Sequence, residues 1–246
     1  MLGTKDVLSL PFVDATMDQL MAELQDRLRE EKKTFVVTAN PEIVMYSRRD
    51  REYERILRQA DWLIPDGIGI IMASRWFGRP LSERLAGFDV MERLLQLSDQ
   101  HGYSIYCLGA EAEVIAKAVA RMREVYPRAC IVGYHHGFFD WNDDRSLVGE
   151  IQAKEPDIVL VGLGFPRQEQ WIFRHLEQFR KGIFMGVGGS FDVWAGKVAR
   201  APEAWQRWNA EWLYRLLQQP SRWRRMLALP HFMIKVVGER LAARHR

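Results

Sequence analysis

Six short apolar runs, separated by stretches of helical periodicity, constrain this chain more than any other feature. They are TFVVTAN (34–40), DWLIPDG (61–67), YSIYCLG (103–109), ACIVGYHHG (129–137), DIVLVGLG (157–164) and GIFMGVGG (182–189). Each is too short for a buried helix and ends in a turn-forming Gly, Asn or Asp, so each reads as a buried strand. Between them the spacing predicts helices over about 42–60, 68–77, 87–100, 111–126 (stopped by Pro127), 143–154 and 166–178. Thr16 is placed to cap a first helix running to about Glu31. Apolar strands alternating with helices specify an α/β fold: a Rossmann-like, mostly parallel sheet flanked by helices. Ligands of such sheets bind beyond the carboxyl ends of the strands. The polar and small residues just after each strand therefore carry the most interest: Thr38, Asn40, Asp66, Gly109, the 162–170 stretch and the 186–192 stretch.

The 246 residues, 48% apolar and 27% charged, suit one core with an appendage. Cys107 and Cys130 lie inside strand-like runs and are expected as buried free thiols in a reducing compartment. The start MLGTKDVLSL lacks the form of a signal peptide, and no run approaches the roughly 18 apolar residues of a membrane span. The expectation is a cytoplasmic protein that is able to lie on a membrane. The net charge of +3 is unevenly spread. From Ala201 onward Lys and Arg outnumber Asp and Glu nine to three, and four of the nine tryptophans sit there. The boundary is expected near residue 195, with a catalytic body over 1–195 and a helical basic appendage over 196–246. Trp favours the membrane interface and Arg pairs with lipid phosphate in a forked geometry. Coincident charge and aromatic excess favours an anionic membrane surface over an ordinary packed helix pair. No nucleic-acid module is recognisable.

Asp66 follows an apolar strand and precedes a glycine-permitted turn. A carboxylate there stands at the mouth of the sheet, where a general base is needed; Asp is also a favoured helix N-cap. Thr38 and Asn40 offer directional hydrogen bonds to a sugar or phosphate, although Asn40-Pro41 is itself a turn former. In GLGFPRQEQW (162–171), Gly162 and Gly164 let backbone approach a ligand. Pro166 is placed to open a helix whose N-terminus attracts pyrophosphate, and Arg167, Gln168 and Gln170 add donors. An ordinary strand–turn–helix junction has the same form. In GVGGSFDVWAGKVAR (186–200), Gly186, Gly188 and Gly189 do not complete G-x-G-x-x-G, because Phe191 holds the last position. Ser190 and Asp192 either contact a nucleoside or cap the next helix. His135 and His136, adjacent on a strand, should point to opposite faces and make a poor metal pair. No D-x-D follows a strand, Asp143-Asp144 reads as a polar helix start, and no nucleophile elbow G-x-S-x-G is present.

Taken together and in order, TANPEIVMYSRRD, WLIPDGIGI, ERLAGFDVMERLL, VGLGFPRQEQWI, GVGGSFDVWAGKVARAP and WNAEWLYRLLQQPSRWRRM resemble the WecG/TagA/CpsF family, glycosyltransferase family 26. The resemblance runs from about Val7 to about Val237. It implies an inverting transfer from a UDP-sugar to an undecaprenyl-pyrophosphate-linked sugar. The best-known activity of this family adds N-acetylmannosamine to lipid-linked N-acetylglucosamine in teichoic acid synthesis; other members use other hexoses. The family's catalytic aspartate falls on Asp66, with Thr38 and Asn40 as its polar companions. Its appendage arginines look like Arg215, Arg222 and Arg225. It implies metal independence, so no cofactor is expected.

On this reading Asp66 deprotonates an acceptor hydroxyl that attacks the donor's anomeric carbon. Helix N-termini and arginines neutralise the departing diphosphate. Substrate contacts are expected from Gly109, Gly162, Gly164, Arg167, Gln168, Gln170, Gly188, Gly189, Asp192 and the three tail arginines. The expected partners are a UDP-sugar, the lipid-linked acceptor and the inner face of the cell membrane. No nucleic acid is expected, and a homo-oligomer is allowed. The competing readings are a membrane-recruited module that binds nucleotide-sugar without turnover, and an NAD-dependent oxidoreductase, which needs the dinucleotide fingerprint this chain lacks.

Overall fold

The structure, a computed structural model, describes residues 2–202, 204–205, 208, 211–218 and 227–244, without the side chains of Arg215 and 242–244. Its strands are β1 (Gly3–Val7), β2 (Leu10–Asp14), β3 (Lys33–Ala39), β4 (Trp62–Pro65), β5 (Ser104–Gly109), β6 (Cys130–His135), β7 (Ile158–Gly162) and β8 (Gly182–Gly186). They form one sheet in the order β1-β2-β4-β3-β8-β7-β5-β6. Only the β1–β2 pair is antiparallel; every other neighbouring pair is parallel.

Alternation along each inner strand divides the core into two layers. Phe35, Val37 and Ala39 of β3, Val159 and Val161 of β7, and Phe184 of β8 face one layer. It is closed by α2 (Pro41–Ser47), α3 (Arg51–Gln59), α4 (Ile68–Trp76), α7 (Arg145–Ala153) and α8 (Arg167–His175). Val36, Ile158, Leu160, Ile183 and Met185 face the other. That layer is closed by α1 (Met17–Arg29), α5 (Gly87–His101), α6 (Ala112–Val125) and the short α9 (Ser190–Trp194). The inner strands are apolar on both faces because both faces are covered.

The Thr16 cap is present as a full capping box with Gln19. The other local readings need correction in places. The chain opens with a hairpin that the six apolar runs do not include. Its two turn residues, Leu8 and Ser9, adopt φ +48° and +67°, positions where Gly or Asn would have announced the turn. The helix expected over 42–60 is two helices. The first ends at Ser47, and Asp50 caps the second, its side chain accepting from the Tyr53 amide at 3.0 Å. Cys107 is buried, and burial pushes its thiol up to about 12, whereas Cys130 is exposed because β6 is the sheet edge. His135 and His136 do not diverge: their ring centroids lie 4.4 Å apart, since the strand ends at His135 and its alternation ends with it. Asp144 begins α7 but is buried. Its Oδ2 accepts from Trp171 Nε1 at 3.1 Å and lies 2.9 Å from His175 Nε2, which fastens α7 to α8.

A helix over Ala228–Arg244 packs back on α2 and α4. Phe232 and Val236 are fully buried against the body, and Glu239 pairs with Arg48 at 2.7 Å. Among the described residues no helix is long and apolar enough to cross a membrane. The close approach depends on Gly69: a Cβ there would lie 2.7 Å from Pro41 Cγ and 3.0 Å from Leu229 Cδ1. Gly69→Ala is therefore expected to destabilise the protein by about 1–3 kcal/mol through overpacking, measured by urea denaturation; an unchanged midpoint would contradict this packing.

Candidate active site

Two cavities open at the carboxyl edge of the sheet. The larger, about 360 Å³, collects residues from the ends of six parallel strands. Thr38 and Asn40 come from β3, Asp66 from β4, Ala110 from β5, and Gly137 and Phe138 from β6. Gly162, Gly164, Arg167 and Gln168 follow β7, and Val187, Gly188, Gly189, Ser190 and Asp192 follow β8. The smaller, about 210 Å³, is lined by Ile68, Arg84, Arg200, Glu211, Trp212 and Leu229 among others. Asn40, Glu42, Asp66, Gly87 and Phe88 line both, so Asp66 stands in the wall the two cavities share.

Backbone bonds fix that wall. The Asp66 amide donates to the Ala39 carbonyl at 3.0 Å, and the Leu85 amide donates to the Pro65 carbonyl at 2.9 Å. Gly67 then turns the chain at φ +89° and occupies the cap position of α4, which makes no side-chain cap bond. Asp66 is thus not the N-cap residue. Asn40 is one: its Oδ1 accepts from the Ile43 amide at 3.1 Å, so it both caps α2 and lines the cavities. Thr38 donates its hydroxyl to the Gly186 carbonyl at 3.2 Å, bridging β3 to β8. A Cβ on Gly87 would meet Thr38 Cγ2 at 2.8 Å, which brings the start of α5 hard against the strand end.

The smaller cavity joins apolar side chains to two arginines that are each held by carboxylates. Arg84 pairs with Glu211 of the 211–218 helix at 2.7 Å. Arg200 bonds Asp89, bonds Glu92 at 3.0 Å and lies over the Phe88 ring at 4.4 Å. Burial pushes the Glu92 carboxyl up, against the pull of Arg200. In the larger cavity Arg167 lies over the Trp141 ring at 4.7 Å.

Thus Thr38, Asn40, Asp66, Gly162, Gly164, Arg167, Gln168, Gly188, Gly189 and Asp192 come together around one space. Gly109 and Gln170 line neither cavity. At Gly109 a Cβ would fall 2.4 Å from the Gly162 carbonyl oxygen, so that glycine serves the close pairing of β5 with β7 at their ends. The Arg215 side chain, Arg222 and Arg225 lie outside the described residues. Sequence reasoning did not place Glu42, Arg84, Phe88, Phe138, Arg200, Trp212 or Leu229 at the site. Arg84 and Arg200 lie within quoted motif stretches, but off the strand ends that directed attention. Among the described residues no group of three or more His, Cys, Asp or Glu is placed to hold a metal ion.

The Glycosyl transferase WecG/TagA/CpsF family profile matches residues 5–246. Three curated relatives carry the name N-acetylglucosaminyldiphosphoundecaprenol N-acetyl-beta-D-mannosaminyltransferase. That of Bacillus spizizenii is 40% identical, covering 98% of this chain and 93% of its own. That of Bacillus subtilis is 37% identical, covering 96% and 92%. That of Staphylococcus aureus is 36% identical, covering 94% and 91%. The chain belongs to the WecG/TagA/CpsF family of glycosyl transferases.

The floor of the larger cavity rests on Gly162, where a Cβ would lie 2.5 Å from the buried Phe191 ring and 3.0 Å from the Gly188 carbonyl oxygen. Gly162→Ala should therefore cost about 1–3 kcal/mol of stability. A denaturation midpoint equal to that of the parent would show the contact to be looser than drawn.

Proposed function

We propose that this family member transfers N-acetylmannosamine, or a related hexose, from a UDP-sugar to undecaprenyl-pyrophosphate-linked N-acetylglucosamine, in surface polysaccharide synthesis of the teichoic acid type. The observation that carries the reading is the shared wall: Asp66 stands between a polar, glycine-lined cavity and one lined by apolar side chains and two arginines. The first suits a nucleoside diphosphate, because glycine loops and the N-terminus of α8 let backbone N–H groups and Arg167 face phosphate. The second suits a lipid-linked diphosphate, with Arg84 and Arg200 for anionic oxygens and Ile68, Phe88, Trp212 and Leu229 for the first isoprenoid carbons.

The reaction is an inverting single displacement. The Asp66 carboxylate takes the proton from the acceptor hydroxyl as its oxygen bonds to the anomeric carbon. The bond from that carbon to the UDP oxygen breaks on the opposite face, and UDP departs with the electron pair. Arginines and backbone donors, rather than a metal, balance the departing charge; the absence of a D-x-D element after any strand supports this. Residues 1–195 form the catalytic body and 196–246 the appendage that meets the inner face of the membrane. Ile234, Leu241 and Trp208 of the appendage are 68%, 52% and 83% exposed. Arg215, Arg222 and Arg225 complete the diphosphate site when the appendage docks.

The test is UDP release with a short-chain lipid-pyrophosphate-N-acetylglucosamine acceptor across a panel of UDP-sugars. Release should require acceptor, select one donor and persist with chelator. Asp66→Asn should lower kcat by about 10²–10⁴-fold, the range of general base catalysis, with the melting temperature unchanged. A fully active folded variant would remove Asp66 from the mechanism.

A further inference from the structure

Behind the glycine-lined cavity lies a carboxyl group the proposed chemistry does not use. Glu169 is fully buried in α8. Its Oε1 accepts from Gln168 Nε2 at 2.7 Å. The other end of the same amide, Gln168 Oε1, accepts from the Gly188 backbone N–H at 3.0 Å. Gly186 leaves the space for this: a Cβ there would lie 2.5 Å from Gln168 Nε2. Gly188, held at φ +53°, and its neighbours line the cavity, as does Gln168 itself.

The two ends of a glutamine amide are nearly identical in shape, so only their partners decide which way it points. A carboxylate is an acceptor only and commands the NH₂ end, which turns the carbonyl end to the Gly188 N–H. A neutral carboxylic acid also donates and no longer dictates that choice. We propose that Glu169 is a positioning residue for the nucleotide-diphosphate cavity, acting through the Gln168 amide to hold the Gly188 loop in its binding conformation. The inference rests on the donor-site reading of that cavity.

The surroundings make this control titratable. Burial pushes the Glu169 carboxyl up to about 7, opposed by the bond from Gln168, its own backbone and the Tyr53 hydroxyl. Tyr53, from α3, is close enough to favour the charged form, but Tyr53 Oη and Glu169 Oε2 fall outside hydrogen-bond geometry and are both left unsatisfied. From α2, Tyr46 and Glu42 act on Tyr53. Strands β7 and β8 bring no ionisable side chain, and the Lys33 side chain of β3 pairs at 2.5 Å with Glu177. Among the described residues no cation pairs with Glu169. Below its midpoint the carboxyl is neutral and the amide is released; above it the amide is fixed.

The test is calorimetric binding of UDP between pH 6 and 8, with donor KM and kcat beside it. In the parent protein, UDP affinity should fall as the pH drops through about 7, beyond what the ionisation of UDP itself causes. Glu169→Gln should weaken UDP binding at pH 8 by about three- to tenfold, the worth of one hydrogen bond. It should raise donor KM similarly, leave kcat within about twofold and flatten the extra pH dependence. Tyr53→Phe keeps the carboxyl and removes a group that favours its charge, so the midpoint should move to higher pH. Parent-like affinity and pH profile in folded Glu169→Gln would overturn the inference. If that variant does not fold, an unmoved midpoint in Tyr53→Phe overturns it. Failure of the parent to bind UDP would instead overturn the donor-site reading, and this inference with it.

Discussion

The hydrogen bond from the Asp66 amide to the Ala39 carbonyl extends the β3–β4 ladder one residue beyond the last paired strand position, Ala39 opposite Pro65. The active-site geometry proposed here depends on that extension. Because it continues the ladder, the carboxylate leaves the sheet at a fixed height and direction rather than from a loop. Because Gly67 follows, the chain turns at once into α4 and leaves the carboxylate in the wall between two cavities. A parallel sheet buried on both faces gives such a residue a firm support, since its strands cannot slide without exposing an apolar layer.

The same packing recruits the C-terminal helix. It enters the first core layer through Phe232 and Val236 and reaches the smaller cavity through Leu229. The preceding 211–218 helix contributes Glu211, which takes the Arg84 guanidinium, and Trp212. One cavity is therefore built by the strand ends and the loops and helix starts that follow them, whereas the other is finished by the appendage. That division matches a reaction between a water-soluble donor and a lipid-linked acceptor.

Most of this architecture was legible in the sequence, for a physical reason. Strands buried on both faces must be almost wholly apolar, as the inner strands β3, β4, β5, β7 and β8 are, and the edge strand β6 is apolar enough to be recognised with them. The hairpin escaped because GTKDV is polar and its turn uses Leu8 and Ser9 in place of glycine. The break at Asp50 escaped because a capping Asp inside a charged stretch resembles an ordinary helix-surface residue. The histidine pair was misread because alternation holds only while a strand lasts. At the site, strand-end residues such as Thr38, Asn40 and Asp66 were found by topology. Arg84 and Arg200 were not, since their place beside Asp66 depends on how a loop and a post-helix segment fold back. Glu169 was hidden within a quoted motif: its burial follows from the packing of α8 and leaves no local mark.

The most direct test of the central claim is a crystal structure with UDP and a lipid-pyrophosphate-sugar analogue bound together. The account predicts UDP in the glycine-lined cavity, the acceptor diphosphate beside Arg84 and Arg200, and the Asp66 carboxylate about 2.6–3.2 Å from the acceptor hydroxyl. Both ligands on one side of Asp66, or an acceptor hydroxyl out of its reach, would contradict it.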